Sequence, residues 1–394
     1  MSRPATRGRC DAIDPDSGNA GRAPSLRSTG LLGLLGPPLA AYAVLRLVQF
    51  SVLALVPAPK PVAARITVYD GWWYAVIATR GYPDSLPDGP GGVAPNAVAF
   101  FPAYPMAVRA VASTGVPVWV GELLVSLVAG AAAVALVCLL AARVAGATVG
   151  RRTALAWTLA PPAFVLGIGY SEGLFVAAAA GCLLGLVQQR WLLAGLTGAL
   201  ATATRPTGAA LAVTALVAAL PVLVRRRTLR PLAAVVLIPA GAAGYLAWLW
   251  AHTGRADAWL VTERKGWGTH EDFGVAMVKM AGYLLRHPVH RPLYLVVAVT
   301  VAACAGLFVL AVRDRLPAPL LAYTAAILLA AGTSGIATVG SFPRIAYTAF
   351  PLLIPLGARL SRLPPPVRLA LAAAAVAVTL GATVLATTTR LYTP

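Results

Sequence analysis

The sequence predicts an all-α polytopic membrane protein: a bundle of about eleven transmembrane helices with a solvent-facing site on its outer surface. Three observations predict it. Of 394 residues, 59% are hydrophobic and only 11% charged, whereas a soluble domain is about half apolar and about a quarter charged. Apolar runs long enough to cross a bilayer recur along the chain. Charge also segregates between alternate short loops in the way that fixes membrane orientation. A formal net charge of +19 would suit a polyanion. The basic residues, however, form short arginine clusters between apolar runs and not one stripe, so no nucleic acid partner is expected.

Residues 1–30 mix Arg3, Arg7, Arg9, Arg22 and Arg27 with Asp11, Asp14 and Asp16. That composition reads as a disordered cytoplasmic tail, with one transmembrane domain over 31–394. The run 31–56 exceeds a signal-peptide core and reads as a retained anchor. Further runs follow at 117–142, 153–169, 172–188, 191–204, 206–224 and 231–251, then 293–312, 316–333, 343–360 and 367–388. The segment 98–114 is interrupted by Pro102 and Pro105 and carries Arg109, which predicts a re-entrant or interfacial helix. Counting it as a full span would move the arginine loop at 225–227 outside. Two long outer loops, about 57–97 and 252–292, are where function is expected. No internal repeat is visible. Cys138, Cys182 and Cys304 lie within apolar runs as small hydrophobes, and no CxxC pair exists.

With the tail inside, every short inner loop is positive: Arg143, Arg151 and Arg152; Arg190; Arg225, Arg226, Arg227 and Arg230; Arg313 and Arg315; Arg359, Arg362 and Arg368. The acids lie on the other side. Asp70, Asp84, Asp88, Glu122, Glu172, Asp257, Glu263, Glu271 and Asp272 map to the outer face or its edge, and only Asp314 maps inside. All four histidines also fall outside. The polar chemistry is therefore expected to be extracytoplasmic.

Four stretches carry candidate chemistry. In "YDGWWYAVIATRGYP", Asp70, Tyr74, Ile77 and Gly81 follow helical spacing. This predicts a short interfacial helix with Trp72, Trp73 and Tyr74 at headgroup depth, set to touch lipid or sugar. Asp70 suits two roles there, a helix N-cap and a general base, and both can hold together. In "GYSEGLF", Glu172 opens a helix after Tyr170, with Ser171 as a possible cap. The acid either complements the helix dipole or lines a pocket, holding an arginine or a sugar hydroxyl. In "ATATRPTG", Arg205 sits between two apolar runs at a break made by Pro206. A charge within hydrocarbon costs about 2.5–3.5 kcal/mol, so it must face protein or water, where a guanidinium suits phosphate or carboxylate. In "GSFPRIAYTAFPLLIP", Arg344 falls at the outer end of a run, either snorkelling or meeting an anion.

Weaker signals are the polar stretch "TERKGWGTHEDFG", whose Trp267 is a candidate acceptor contact, and Arg46 within the first run, which suits a lipid phosphate or a helix partner. His287 and His290 have metal-like spacing with Pro288 between them, and no HExxH occurs. The "DPD" at Asp14–Asp16 lies in the tail on the wrong side. No Walker loop or GxGxxG is present, which argues against a nucleotide donor.

Taken in order, "YDGWWYAVIATRGYP", "NAVAFFPAYP", "GYSEGLF", "ATATRPTG" and "FPRIAYTAFPLLIP" resemble the PIG-V family of mannosyltransferases, related to the second mannosyltransferase of glycosylphosphatidylinositol assembly. The matches run from about residue 69 to 355. The resemblance implies a GT-C architecture and a polyprenyl-phosphate-linked mannose donor, with neither nucleotide sugar nor obligatory metal or other cofactor. By position, it implies Asp70 as catalytic base, Glu172 as the family's YSE acid, Arg205 as its following arginine element and Arg344 as the late Pro-Arg. The chain departs from the eukaryotic pattern between Phe100 and Tyr104, which is sparse in polar residues, and in the second long outer loop. Its high Ala, Arg and Gly content suggests a GC-rich bacterium, so a lipid, lipoglycan or surface-protein acceptor at the cell membrane is expected. A transporter or lipid flippase, or a non-catalytic partner of a glycosyltransferase, are the competing readings. Transporters usually show repeat symmetry and midplane charges, whereas here ionisable groups gather on one face.

Overall fold

A computed structural model describes residues 30–287 and 292–388. The tail at 1–29, the DPD stretch and His290 lie outside the described residues. Within them the chain is helical, and no strand occurs.

The first half comprises α1 (Leu31–Leu55), α2 (Val62–Ile66), α3 (Asp70–Arg80), α4 (Ala103–Ala112), α5 (Val118–Ala145), α6 (Ala147–Leu159), α7 (Glu172–Val187) and α8 (Trp191–Thr202). The second comprises α9 (Ala209–Arg226), α10 (Leu232–Thr253), α11 (Ala258–Val261), α12 (Val275–Arg286), α13 (Pro292–Arg313), α14 (Ala318–Thr333), α15 (Phe342–Tyr347), α16 (Leu353–Leu360) and α17 (Pro365–Thr388). Each of the eleven apolar runs carries helix. Six helical segments are long and apolar enough to cross a membrane; the bent pair Pro161–Gly167 and Glu172–Val187 makes a seventh, and three apolar helices are shorter. The long helices bury one face and expose large apolar side chains on the other, as in α9, where Val213, Leu216, Leu220 and Val224 lie outward. Such continuous apolar surface fits hydrocarbon and not water. The chain is a multi-pass membrane protein.

Two expected spans are broken, and proline is the cause in both. The run 153–169 stops as α6 at Leu159, becomes a 3₁₀ turn over Pro161–Gly167 and meets α7 at 107°. Pro161 and Pro162 supply no N–H to continue the ladder, which leaves carbonyls without partners. Neighbouring helices bond them: Arg46 donates to the Ala163 carbonyl at 2.8 Å, Gln49 to Phe164 at 2.8 Å, and Thr379 to Leu159 at 3.2 Å. Arg46 is thus a buried helix partner that also packs on the Tyr42 ring. The run 343–360 breaks likewise into α15, a turn at Phe350–Leu352 and α16. Pro351 and Pro355 lie at that break.

The segment 98–114 forms a helix only after Pro102, as the short α4 packed on α3 and α5. The second long loop contains the short α11, a π-turn at Thr262–Gly266 and α12. Phe273, Val278 and Leu285 are strongly exposed at and along α12, as in a helix lying in the membrane interface.

If Gln49 bonds the broken segment, Gln49→Met removes the donor to a buried carbonyl. The expected cost is about 1–3 kcal/mol, read as a lower thermal-unfolding midpoint of the detergent-purified protein with the fold retained.

Candidate active site

Three helix starts and one helix end converge at one end of the bundle. Asp70 is the first residue of α3, Glu172 the first of α7, Arg344 lies in α15, and Arg205 follows the end of α8. All four meet in one chain of charge. Arg344 Nη1 pairs directly with Asp70 Oδ2. Arg344 Nε lies 3.5 Å from Glu172 Oε1, and Arg205 Nη1 lies 2.7 Å from the same oxygen. Side-chain exposure is 23% for Asp70, 11% for Arg205, 10% for Arg344 and 0% for Glu172. Two carboxylates and two guanidiniums balance, so the cluster survives burial that would be prohibitive for an unpaired charge.

The sequence suggested caps at Asp70 and Ser171, and neither side chain caps its helix. The Ser171 hydroxyl instead joins the Tyr74 hydroxyl at 2.9 Å and receives Arg205 at 3.1 Å. Tyr74 is only 3% exposed. Tyr170 is also enclosed, with the Arg344 guanidinium over its ring at 5.1 Å. Both tyrosines, expected to touch substrate, bear on the site through Ser171 and Arg344. Tyr69, just before Asp70, has φ 54° and ψ −114°, a conformation costing a non-glycine residue about 1–3 kcal/mol. Backbone strain is therefore held next to the half-buried Asp70 carboxylate.

The glycines of "YDG" and "GYSEG" now have a reason. A Cβ on Gly71 would meet the Gly169 carbonyl at 2.9 Å, and one on Gly169 would meet the Glu122 carboxyl at 2.8 Å. Only bare backbone lets α3 come this close to the loop before α7, which brings Asp70 to Glu172. Glu122 is fully buried in α5, and neither carboxyl oxygen has a hydrogen-bond partner among the described residues. Its position near a helix end was legible in the sequence, but its enclosure behind Gly169 was not.

An aromatic cluster borders the charges. Trp73 stacks on Phe100 at 5.9 Å, and Trp267 meets both edge-on at 5.5 and 5.6 Å. Trp72 lies 4.6 Å from Trp73 and is 53% exposed. The Trp267 indole donates to the Asn96 carbonyl at 3.3 Å, fastening the second long loop to the first. Glu263, from the adjacent π-turn, is within reach of Asp70's charge. Sequence reading placed it only among the outer acids, and the signal available was its place in the same charged stretch as Trp267.

An apolar cavity of about 1350 Å³ lies beside the cluster, lined among others by Phe164, Tyr294, Leu307, Pro343, Tyr347 and Leu385. None of the four charged residues lines it. The two meet at α15, where Pro343 and Tyr347 face the cavity while Arg344 reaches Asp70 and Glu172. No group of three or more metal-ligating side chains occurs among the described residues.

No protein-family model matches this sequence, and no curated protein is similar to it. Solved structures are similar in fold. ArnT from Cupriavidus metallidurans superposes in the apo state with a TM-score of 0.54 at 15% identity, over 89% of this chain and 75% of that one. Its complex with undecaprenyl phosphate gives 0.53 at 15%, over 89% and 76%. The apo oligosaccharyltransferase of Archaeoglobus fulgidus gives 0.52 at 14%, over 93% of this chain and 57% of that one. This chain thus spans little more than half of the oligosaccharyltransferase. The architecture is a GT-C-type helical bundle.

Gly169→Ala should drive its methyl into the Glu122 carboxyl, costing about 1–3 kcal/mol by overpacking. Adding Glu122→Ala removes the obstructing atoms. The double variant should therefore unfold at a higher temperature than Gly169→Ala alone, measured by nanoscale fluorimetry in detergent.

Proposed function

We propose that this protein is a membrane glycosyltransferase that takes a hexosyl group, most simply mannosyl, from a polyprenyl-phosphate carrier to an acceptor hydroxyl. The observation that carries the reading is the junction at α15, where a cluster of two carboxylates and two guanidiniums adjoins an apolar cavity. A lipid phosphate has those two parts: a head that suits guanidinium forks and a tail that suits the cavity. The GT-C bundle, shared with a protein solved with undecaprenyl phosphate, supports the lipid-linked donor. The motifs resembling the PIG-V family support mannose.

In the proposed reaction, Asp70 removes the proton from the acceptor hydroxyl as its oxygen attacks the anomeric carbon. The bond from that carbon to the phosphate oxygen breaks, and its electron pair leaves with the lipid phosphate. Inversion follows from attack opposite the leaving group. Arg205 and Arg344 meet the charge on the departing phosphate. Arg344 is bound to Asp70 in the structure, so donor phosphate must compete with that carboxylate for the guanidinium. Donor binding would then free the base only when a leaving group is in place. Glu172 holds both arginines through one oxygen, keeping the forks aimed once Arg344 turns.

The arginine loops support an extracytoplasmic position, at the cell membrane, for this end of the bundle. The acceptor is a lipid, a lipoglycan or a protein. In proteoliposomes supplied with polyprenyl-phosphate mannose, wild type should yield a mannosylated product by mass spectrometry. Asp70→Asn should lower turnover by about 10²–10⁴-fold, the usual worth of a general base. Near-normal turnover in that variant would remove Asp70 from the role, and substrate uptake with no glycosyl product would make the protein a transporter.

A further inference from the structure

We propose that α12 is a docking surface for the headgroups of anionic phospholipid, and that its docking holds one wall of the apolar cavity in place. The second half of the inference rests on the reading above, in which that cavity takes the tail of a lipid-linked substrate.

Helix α12 (Val275–Arg286) is anchored to the bundle at its start and along one face. Gly274 N–H donates to Asp272 Oδ1 at 2.9 Å and Ala276 N–H to Oδ2 at 2.7 Å, which satisfies donors that a helix start leaves open. The Asp272 N–H in turn donates to the Thr333 carbonyl, at the end of α14, at 2.8 Å. Ala276 and Met280 pack with Val297 of α13, Ala331 of α14, and Phe342 and Ala346 of α15. Val297 stands in the second turn of a helix long enough to cross the membrane. The anchored helix therefore lies beside one end of a span, at the depth where headgroups begin.

The rest of its surface has two parts. Val278 and Leu285, seven positions apart and so on one face, are 73% and 87% exposed. Beside them, at the same spacing, stand Lys279 and Arg286, both exposed and neither paired with an acid among the described residues. No acidic residue occurs in α12. An apolar strip flanked by cations is the pattern of a helix lying on a lipid surface. The strip enters the acyl boundary, and the long stems carry the ammonium and guanidinium to phosphate oxygens. Neutral lipid would satisfy the strip alone, so the two unpaired cations specify a phosphodiester of net negative charge. Contact with a membrane-spanning helix makes leaflet lipid the occupant, and not a soluble partner. Each cation near an anionic leaflet is worth about fivefold in affinity.

Two contacts carry docking to the cavity. Tyr283 of α12 and Tyr294 of α13 both line it, their rings 5.8 Å apart and edge to face. Ala346 of α15, against which α12 packs, lines it as well, and Arg344 extends from that same helix to Asp70. With α12 held by lipid, the wall is ordered before a tail arrives. With α12 loosened, tail binding must also order the wall, which lowers affinity.

The test places the full chain in nanodiscs of phosphatidylcholine alone or mixed with phosphatidylglycerol, and follows amide hydrogen exchange by mass spectrometry. Exchange across 275–286 should be at least fivefold slower with phosphatidylglycerol present. The pair Lys279→Gln with Arg286→Gln should abolish that difference while leaving the thermal-unfolding midpoint unchanged. Val278→Ser with Leu285→Ser should speed exchange in both lipids. Undecaprenyl phosphate should bind wild type at least threefold more tightly in the anionic nanodisc, and the double-Gln variant equally in both. Equal exchange of wild-type α12 in the two lipids, or a lipid difference that survives in the double-Gln variant, overturns the docking surface. Protection that needs undecaprenyl phosphate and not phosphatidylglycerol overturns it too, by giving the cations to the substrate. Docking with undecaprenyl phosphate affinity equal in both lipids overturns the hold on the cavity. Docking with no undecaprenyl phosphate binding at all supports the surface and overturns the lipid-linked donor.

Discussion

The structure depends on the charge chain from Asp70 through Arg344 and Glu172 to Arg205. Within an apolar bundle no single member could remain ionised and unpaired, because the cost of desolvation would exceed any packing gain. Together they are neutral, and Glu172 can be wholly enclosed because two guanidiniums share one of its oxygens. Breaking such a cluster by removing one partner typically costs about 3–5 kcal/mol. The positions of α3, α7, α15 and the end of α8 are therefore tied to one another through chemistry as well as packing.

Broken helices make that arrangement possible. Continuous spans would bury their polar backbone and pass the site by, whereas a proline break leaves helix ends near the surface where charged side chains can gather. The cost is unpaired carbonyl groups, and the bundle offsets it with donors from elsewhere: Arg46, Gln49 and Thr379 at one break. Arg65 does the same at the end of α1, donating to the Leu53 and Val56 carbonyls. The break around α15 also sets its dual exposure, with Pro343 and Tyr347 towards the apolar cavity and Arg344 towards the acids.

The strained Tyr69 and the bare glycines belong to the same economy of space. Gly71 and Gly169 permit the backbone approach that carries Asp70 towards Glu172, and Tyr69 takes the turn required just before it. The enclosed Glu122 behind Gly169 closes the rear of this contact. The second long loop packs Trp267 against Trp73 and Phe100, so two loops distant in sequence are joined.

The helical runs were readable because hydrophobic length is a local property, and the sharing of one end by Asp70, Glu172, Arg205 and Arg344 followed from counting spans and arginine loops. The α3 helix was also readable, since its spacing is local. Pairing was not. Asp70 and Arg344 stand 274 positions apart, and nothing local in either stretch names the other as partner. Ser171 looked like a cap because its neighbours resemble a helix start; the tertiary fold gave its hydroxyl to Tyr74 and Arg205 instead. The enclosure of Glu122 and the placement of Glu263 near the Asp70 charge were equally hidden, because burial and like-charge proximity arise only once distant helices pack. Composition and period determined which segments form apolar helix. Only the packed bundle decided which charge neutralises which, since electrostatic energy in a low-dielectric interior depends on distance in space and not along the chain.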